Sequence, residues 1–383
     1  MLVFSVTSLL INFGAMVFQP FIPLYLASVG ADIPETSLVF VGIAIATNLM
    51  YIPGGILADR IGRKPIIVLG NVIGFGMFLA LLGVNDWTMA LVVLFGTTAF
   101  STLVQPAYSA IVAESVKVKE RVRAFGTLYV LVYLAWALGS VLGGFLPYAG
   151  RFQLNILVVA ITGLVATLGR FVFLKETRQR KPSSAPVKSV SYSFLGHLTR
   201  NVWLVLIALL IFNFSSGLLV SIYAFFSTME LHLSTTEFGI MVGFGYLASM
   251  VGAFGVGRLS KKFGIRTIMI LTVLLEGSLI VPWIYSPNLT FAFLFYALLG
   301  FFSPFFFVGN QTLMNNVSTP EERSSIIGFI LMTAGLGSII SPYIGAELWV
   351  LLGPRIPFLV SAIIAVGVII PLALVQESLF ERD

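Results

Sequence analysis

Cysteine is absent from all 383 residues, which removes disulfides, thiolate metal ligands and thiol nucleophiles together. Histidine is nearly absent: the two present, His197 and His232, fall in loops, so the apolar segments hold no His-rich metal site. Charge is also scarce, at 10% of residues against about 25% in soluble domains. With 58% of residues hydrophobic, a soluble core has no room for the apolar surface this chain carries. The apolar stretches lack the alternation that barrel strands require, which leaves helices. Nor do they hold a nucleophile beside a base or a pair of acids, so an enzyme is not expected, and no catalytic residue, metal or cofactor is assigned.

What the chain does have is length of apolar run. Runs of roughly 18 to 27 residues recur end to end, each long enough to cross about 30 Å of hydrocarbon as a helix. Twelve spans are expected, near 2–28, 36–58, 65–83, 87–113, 124–148, 152–174, 202–229, 238–259, 267–285, 289–315, 325–350 and 355–375. Met1 stands almost inside the first span, with no charged leader or small-residue cleavage site, so that span is expected to stay in the membrane.

The net charge of +6 would raise the question of nucleic acid in a soluble protein; here its placement answers it. Arg60, Arg63 and Lys64 follow span 2, and Lys117, Lys119, Arg121 and Arg123 follow span 4. Six more basic residues fill the central loop, Arg258, Lys261, Lys262 and Arg266 surround the loop after span 8, and Arg323 follows span 10. The opposite loops hold only Arg151 and Arg355, a bias of eighteen to two. The positive-inside rule then describes a multi-pass cell-membrane protein with both termini cytoplasmic. Nucleic acid is not an expected partner. Membrane lipid is, since each base near anionic headgroups is worth about 1 kcal/mol.

The stretch Gly55 to Pro65, G-I-L-A-D-R-I-G-R-K-P, has a fainter copy 202 residues on, where Lys261 answers Asp59, Lys262 answers Arg60, Gly264 answers Gly62 and Arg266 answers Lys64. The same offset pairs Glu120-Arg121 with Glu322-Arg323 and Gly143 with Gly345, which argues for duplication. The polar segment 175–201, broken by Pro182 and Pro186, reads as a cytoplasmic linker between an N-terminal bundle, 1–174, and a C-terminal bundle, 202–383.

Twelve spans in two repeated halves, with this loop between spans 2 and 3, closely resemble the major facilitator superfamily of secondary transporters, nearest in motif to its drug and small-molecule exporters. QPAYSAIVAE (Gln105 to Glu114) followed by Glu120-Arg121 is similar to that family's fourth helix and its exit, and Pro20 and Pro23 resemble its first helix. The resemblance implies an all-α membrane fold of two pseudo-symmetric six-helix bundles. It also implies a conformational switch built on Gly55, Asp59, Arg60, Gly62, Arg63, Lys64 and Glu114. Asp59 would latch the halves on the cytoplasmic side, and Arg63 would bridge to Glu114. Gly55 and Gly62 would permit close helix approach and a tight turn. Asp59 and Arg63 are four apart, so a helix continuing through the turn would place them on one face. In the second copy Lys261 replaces the acid and Asn316 stands where Glu114 does, so the latch is expected to be one-sided.

Gly139-Ser140-Val141-Leu142-Gly143-Gly144 resembles a glycine-proline motif of the family's antiporters, with Ser140 in place of proline; close helix packing is the competing explanation. In such folds spans 1, 4, 7 and 10 line a central cavity. Its polar candidates are Asn12, Gln19, Gln105, Tyr108, Asn213, Tyr223, Asn310 and Gln311, with glue between helices as the alternative role. Thirty-four Phe and twelve Tyr favour an amphipathic or hydrophobic small molecule. No arginine lies midway along spans 1, 4, 7 or 10, which argues against a phosphate or dicarboxylate site. Glu276 is the acid deepest in a span and a candidate for a remote proton site, on a span that the resemblance makes peripheral to the pathway, with coupling through Asp59 and Glu114 as the alternative; Arg170, near the inner end of span 6, is expected to snorkel to the headgroups. The expectation is a monomeric alternating-access carrier, proton-coupled efflux being one form. A substrate-specific uniporter and a transporter-like sensor or scaffold are the alternatives.

Overall fold

The structure is a computed structural model that describes residues 2–114, 121–147, 150–174, 176, 198–318, 323–376 and 379; the side chains of residues 2, 59, 109–110, 112–114, 121–129 and 323–325 are also outside that description. Among the described residues it is all helix, without a strand. In chain order the helices are α1 (Leu2–Phe18), α2 (Ile22–Ser28), α3 (Ile33–Ile61), α4 (Arg63–Phe78), α5 (Trp87–Glu114), α6 (Arg121–Phe145), α7 (Gln153–Phe173) and α8 (Arg200–Gly217). They continue with α9 (Tyr223–Phe225), α10 (Thr235–Phe263), α11 (Ile265–Ile284), α12 (Leu289–Val317), α13 (Arg323–Gly335), α14 (Gly337–Leu352), α15 (Ile356–Val366) and α16 (Ile369–Leu374). Among the described residues eleven segments are long and apolar enough to cross a membrane, and a shorter apolar stretch, Val130–Phe145 in α6, lies within the fifth of the twelve expected spans.

Local chemistry explains where these helices begin and bend. Span 1 breaks into α1 and α2 at a tight turn over Gln19–Phe21, because Pro20 and Pro23 lack the N–H groups an unbroken helix would use. Span 7 is interrupted after Gly217, and α9 runs on through a π-helical turn, Phe226–Glu230. Span 2 opens on a capping box: Asp32 Oδ1 accepts from Glu35 N at 2.7 Å, and Glu35 Oε2 accepts from Asp32 N at 2.9 Å. Span 8 opens the same way 202 residues later, with Glu237 N donating to Ser234 Oγ at 3.2 Å and Ser234 N to Glu237 Oε2 at 2.8 Å.

The repeat reappears in packing. A Cβ on Gly143 of α6 would collide with the carbonyl oxygen of Val17, and one on Gly345 of α14 with that of Leu218, so spans 5 and 11 press on spans 1 and 7 in the same manner. Likewise Gly54 meets the Leu103 carbonyl and Gly252 that of Phe301, which brings spans 2 and 4, and spans 8 and 10, into backbone contact. Gly54, rather than Gly55, is thus the close-approach glycine of the loop motif: a Cβ on Gly55 would meet only Pro106, at 3.8 Å.

By contacts the chain forms two compact units, Met1–Arg178 with Ser221–Leu247, and Gln179–Val220 with Ala248–Asp383. In the first, α10 lies against α6 almost backbone to backbone. A Cβ on Gly144 would sit 2.8 Å from the Thr235 carbonyl oxygen and 3.0 Å from Gly239 Cα, and Thr236 Oγ1 donates to Gly144 O at 3.0 Å. Nearby, Phe21 meets Phe238 edge to face at 5.6 Å, and Ser37 and Ser221 share a buried hydrogen bond of 2.7 Å. The glycine motif of span 5 is therefore used for packing on two sides, α1 and α10. In the second unit the buried Ser215 and Ser361 tie α8 to α15 through reciprocal bonds to each other's carbonyls, at 2.8 and 2.9 Å.

Candidate functional site

The first unit contains a cavity of about 620 Å³, within the usual range for a small-molecule site and lined from α1 through α7. Asn12, Gln19, Gln105 and Tyr108 all reach its wall. Asn12 is also glue: its Nδ2 donates to Ser8 O at 2.8 Å and its Oδ1 accepts from Trp136 Nε1 at 2.9 Å, joining α1 to α6. Gln19 and Gln105 are exposed to the cavity. Tyr223 lies in the same unit on α9 and is not part of this wall. Asn213, Asn310 and Gln311 belong to the second unit, where the buried Oδ1 of Asn310 has no hydrogen-bond partner.

Several lining residues are absent from the sequence-based set. Thr97, Thr98, Ser101 and Thr102 form a hydroxyl stripe on α5 that continues into Gln105 and Tyr108. The 3- and 4-residue spacing of T-T-x-x-S-T-x-x-Q-x-x-Y already marks one helical face. Thr97 and Ser101 donate to carbonyls of their own helix, Leu94 O at 3.1 Å and Thr98 O at 2.9 Å, which leaves their oxygens as acceptors toward the cavity. Trp136 of α6 and Asn71 of α4 lie on spans outside the expected lining set.

Arg170 overturns its expectation most clearly. It does not snorkel outward; at 1% exposure it turns into the cavity wall. Its Nε donates to Thr7 Oγ1 at 3.0 Å, Nη1 to Tyr108 Oη at 2.5 Å and Nη2 to Ser8 Oγ at 2.9 Å. The Tyr108 and Phe4 rings flank its Cζ at 4.5 and 5.1 Å. Taking a guanidinium out of water costs several kcal/mol, and hydroxyl oxygens with π faces offset that only in part. The reason the charge turns inward is local: α1 and α5 present four hydroxyl or ring groups at the height of the last turn of α7.

At the loop motif, α3 ends at Ile61 and Gly62, at φ +119°, reverses the backbone into α4. The helix does not continue through the turn, so the four-residue spacing of Asp59 and Arg63 no longer sets a shared face. Arg63 Nη1 donates to Ala58 O at 2.9 Å, on the C-terminal end of α3. Gly62 offers α4 no side-chain cap. The cap comes from Glu176, just past α7, whose Oε1 and Oε2 accept the backbone N–H groups of Arg63 and Lys64 at 3.1 and 3.0 Å. Arg60 is exposed, and Lys64 Nζ stands 5.8 Å from the Phe171 ring. The side chains of Asp59 and Glu114, on which the latch rests, are outside the described residues, as are Lys175 and 177–197 of the linker.

The second copy differs in polarity. Gly264 also has positive φ, +78°, and Arg266 donates to the Ala373 carbonyl at the end of α16. Asn316 donates to Leu379 O at 2.6 Å. Glu276 is half-buried midway along α11. No group of three or more metal-ligating side chains occurs among the described residues.

The chain is similar to known transporters over nearly its whole length. It is 23% identical over 377 residues to an uncharacterised MFS-type transporter of Methanocaldococcus jannaschii, covering 94% of this chain and 90% of that protein. It is also 23% identical to the multidrug resistance protein MdtG of Dickeya zeae, covering 90% of this chain and 86% of the other. The crystal structure of the nucleoside transporter NupG superposes with a TM-score of 0.77 at 13% identity, over 100% of this chain and 99% of that one. The model of the Major Facilitator Superfamily matches residues 4–275 and 214–379, and with this all-helical fold of many membrane-length segments the chain belongs to the major facilitator superfamily of membrane transporters.

Proposed function

We propose that this protein exports a small amphipathic compound by alternating access, in the manner of a multidrug efflux carrier coupled to protons. The cavity of the first unit carries the reading: a wall of Phe, Ile and Met interrupted by Asn12, Gln19, Gln105, Tyr108 and the α5 hydroxyls accepts an apolar body with a few directed polar contacts. Spans 1–174 and 202–383 would act as the two moving bundles, with both termini cytoplasmic, as the basic loops support. The Asp59–Arg63–Glu114 switch would govern their exchange, and the α6–α10 glycine contact would be broken and remade in each cycle. Glu276 supplies the mid-span carboxyl that coupling requires.

The test is flux of a compound panel into proteoliposomes holding the purified chain, with and without an imposed pH gradient. Gradient-dependent flux that Glu276→Gln abolishes is expected. Flux indifferent to the gradient would replace proton coupling with facilitation, and no flux of any compound would refute transport.

A further inference from the structure

Arg170 is the one fully buried cation among the described residues. A guanidinium has five N–H groups in one plane. Three go to the neutral oxygens of Thr7, Tyr108 and Ser8, and among the described residues no carboxylate is a partner. Two of its N–H groups have no described partner, on a residue that lines the cavity. Tyr108, accepting from Arg170, passes its own proton to Asn71 Oδ1 at 2.8 Å. Reversing the Asn71 amide would leave the tyrosine proton without an acceptor, so the network has a direction. It ends on Asn71 Nδ2, a buried donor on the same wall with no partner.

A buried cation with no carboxylate among its described partners, an orphaned amide donor and an aromatic wall including Phe75, Phe78 and Trp136 share one chemical complement. We infer that the cavity selects amphipathic organic anions, seating a single carboxylate between Arg170 and Asn71 with the apolar body along the aromatic wall. The inference rests on the transport reading above and names its substrate class. One guanidinium with two free N–H groups matches one negative charge. A phosphate dianion or a dicarboxylate would bring a second charge that no described side chain on this wall neutralises.

The probe pair is 2-naphthylacetate and 2-naphthylacetamide, which share a ring and differ in charge, with binding to the purified full chain measured by calorimetry. The parent protein is expected to prefer the acid by about tenfold or more. Arg170→Gln should reduce that preference to about twofold or less, and Asn71→Ala should weaken acid binding about three- to fivefold while leaving the amide unchanged. Equal binding of the two probes by the parent, or a preference that survives Arg170→Gln, overturns the inference. If Arg170→Gln does not fold, Arg170→Lys and Asn71→Ala decide it: undiminished acid preference in both overturns it, and a reduced preference in either supports it. Proteoliposome flux of ethidium without acid-selective binding would overturn this inference and leave the transporter reading standing. Acid-selective binding with no flux of any probe would do the reverse.

Discussion

Glu176→Ala tests how the loop motif is held. In the parent, the carboxylate accepts two backbone N–H groups at the first turn of α4, at 3.1 and 3.0 Å, on a helix whose N-cap glycine supplies no side chain. N-cap bonds are worth about 0.5–2 kcal/mol and a negative charge at a helix start about 0.3–1 kcal/mol. Glu176 is exposed and therefore screened, so the low end applies, about 1 kcal/mol in total. Hydrogen exchange followed by mass spectrometry reads this directly: the Arg63 and Lys64 amides should exchange about fivefold faster in Glu176→Ala, with the middle of α4 unchanged. Glu176→Gln keeps one acceptor oxygen and should fall between. Gly62→Ala adds a separate load, because φ of +119° costs a non-glycine residue about 1–3 kcal/mol and the new Cβ would lie 2.7 Å from Glu176 Oε2. Removing Glu176 should relieve the contact and leave the backbone strain. Exchange at Arg63 and Lys64 within twofold of the parent in Glu176→Ala would refute the capping argument.

Gly143→Ala and Gly345→Ala should each lower the melting temperature in detergent, by about 1–3 kcal/mol of overpacking, since both Cβ atoms collide with carbonyl oxygens; tolerance at either site would break the structural equivalence of spans 5 and 11. Gly144→Ala should separate α6 from α10 and slow transport with normal membrane insertion, and an unaltered rate would show that the close approach is dispensable. Asp59→Asn should shift the population toward the inward-facing state. The cysteine-free chain accepts paired spin labels without background, and unchanged distances between residues 1–174 and 202–383 would remove the latch.

The span count, the repeat and the polar residues of spans 1 and 4 were legible because each rests on periodicity or on residue type within one segment. Even the 202-residue register reaches as far as the paired capping boxes at Asp32 and Ser234. What could not be read depends on several segments meeting. Arg170 looks like any base near a helix end until Thr7, Ser8 and Tyr108 arrive from two other helices. Glu176 reads as the first acid of a polar linker, and its partners are backbone groups more than 110 residues earlier. Gly54 and Gly55 are indistinguishable in sequence; which of them faces Leu103 depends on the rotation of α3 against α5.

The allegiance of residues 221–247 to the first unit bears on any attempt to express the protein as two pieces. A cut in the polar linker, where duplication would invite it, strands Phe238 and Gly239 on the wrong fragment and bares Phe21 and Gly144. A cut after residue 174 also discards the carboxylate on which α4 starts, whereas one after 178 retains it. Co-expressed fragments would need to recover the interrupted seventh span together with the start of the eighth, so ancestry and folding divide this chain at different places.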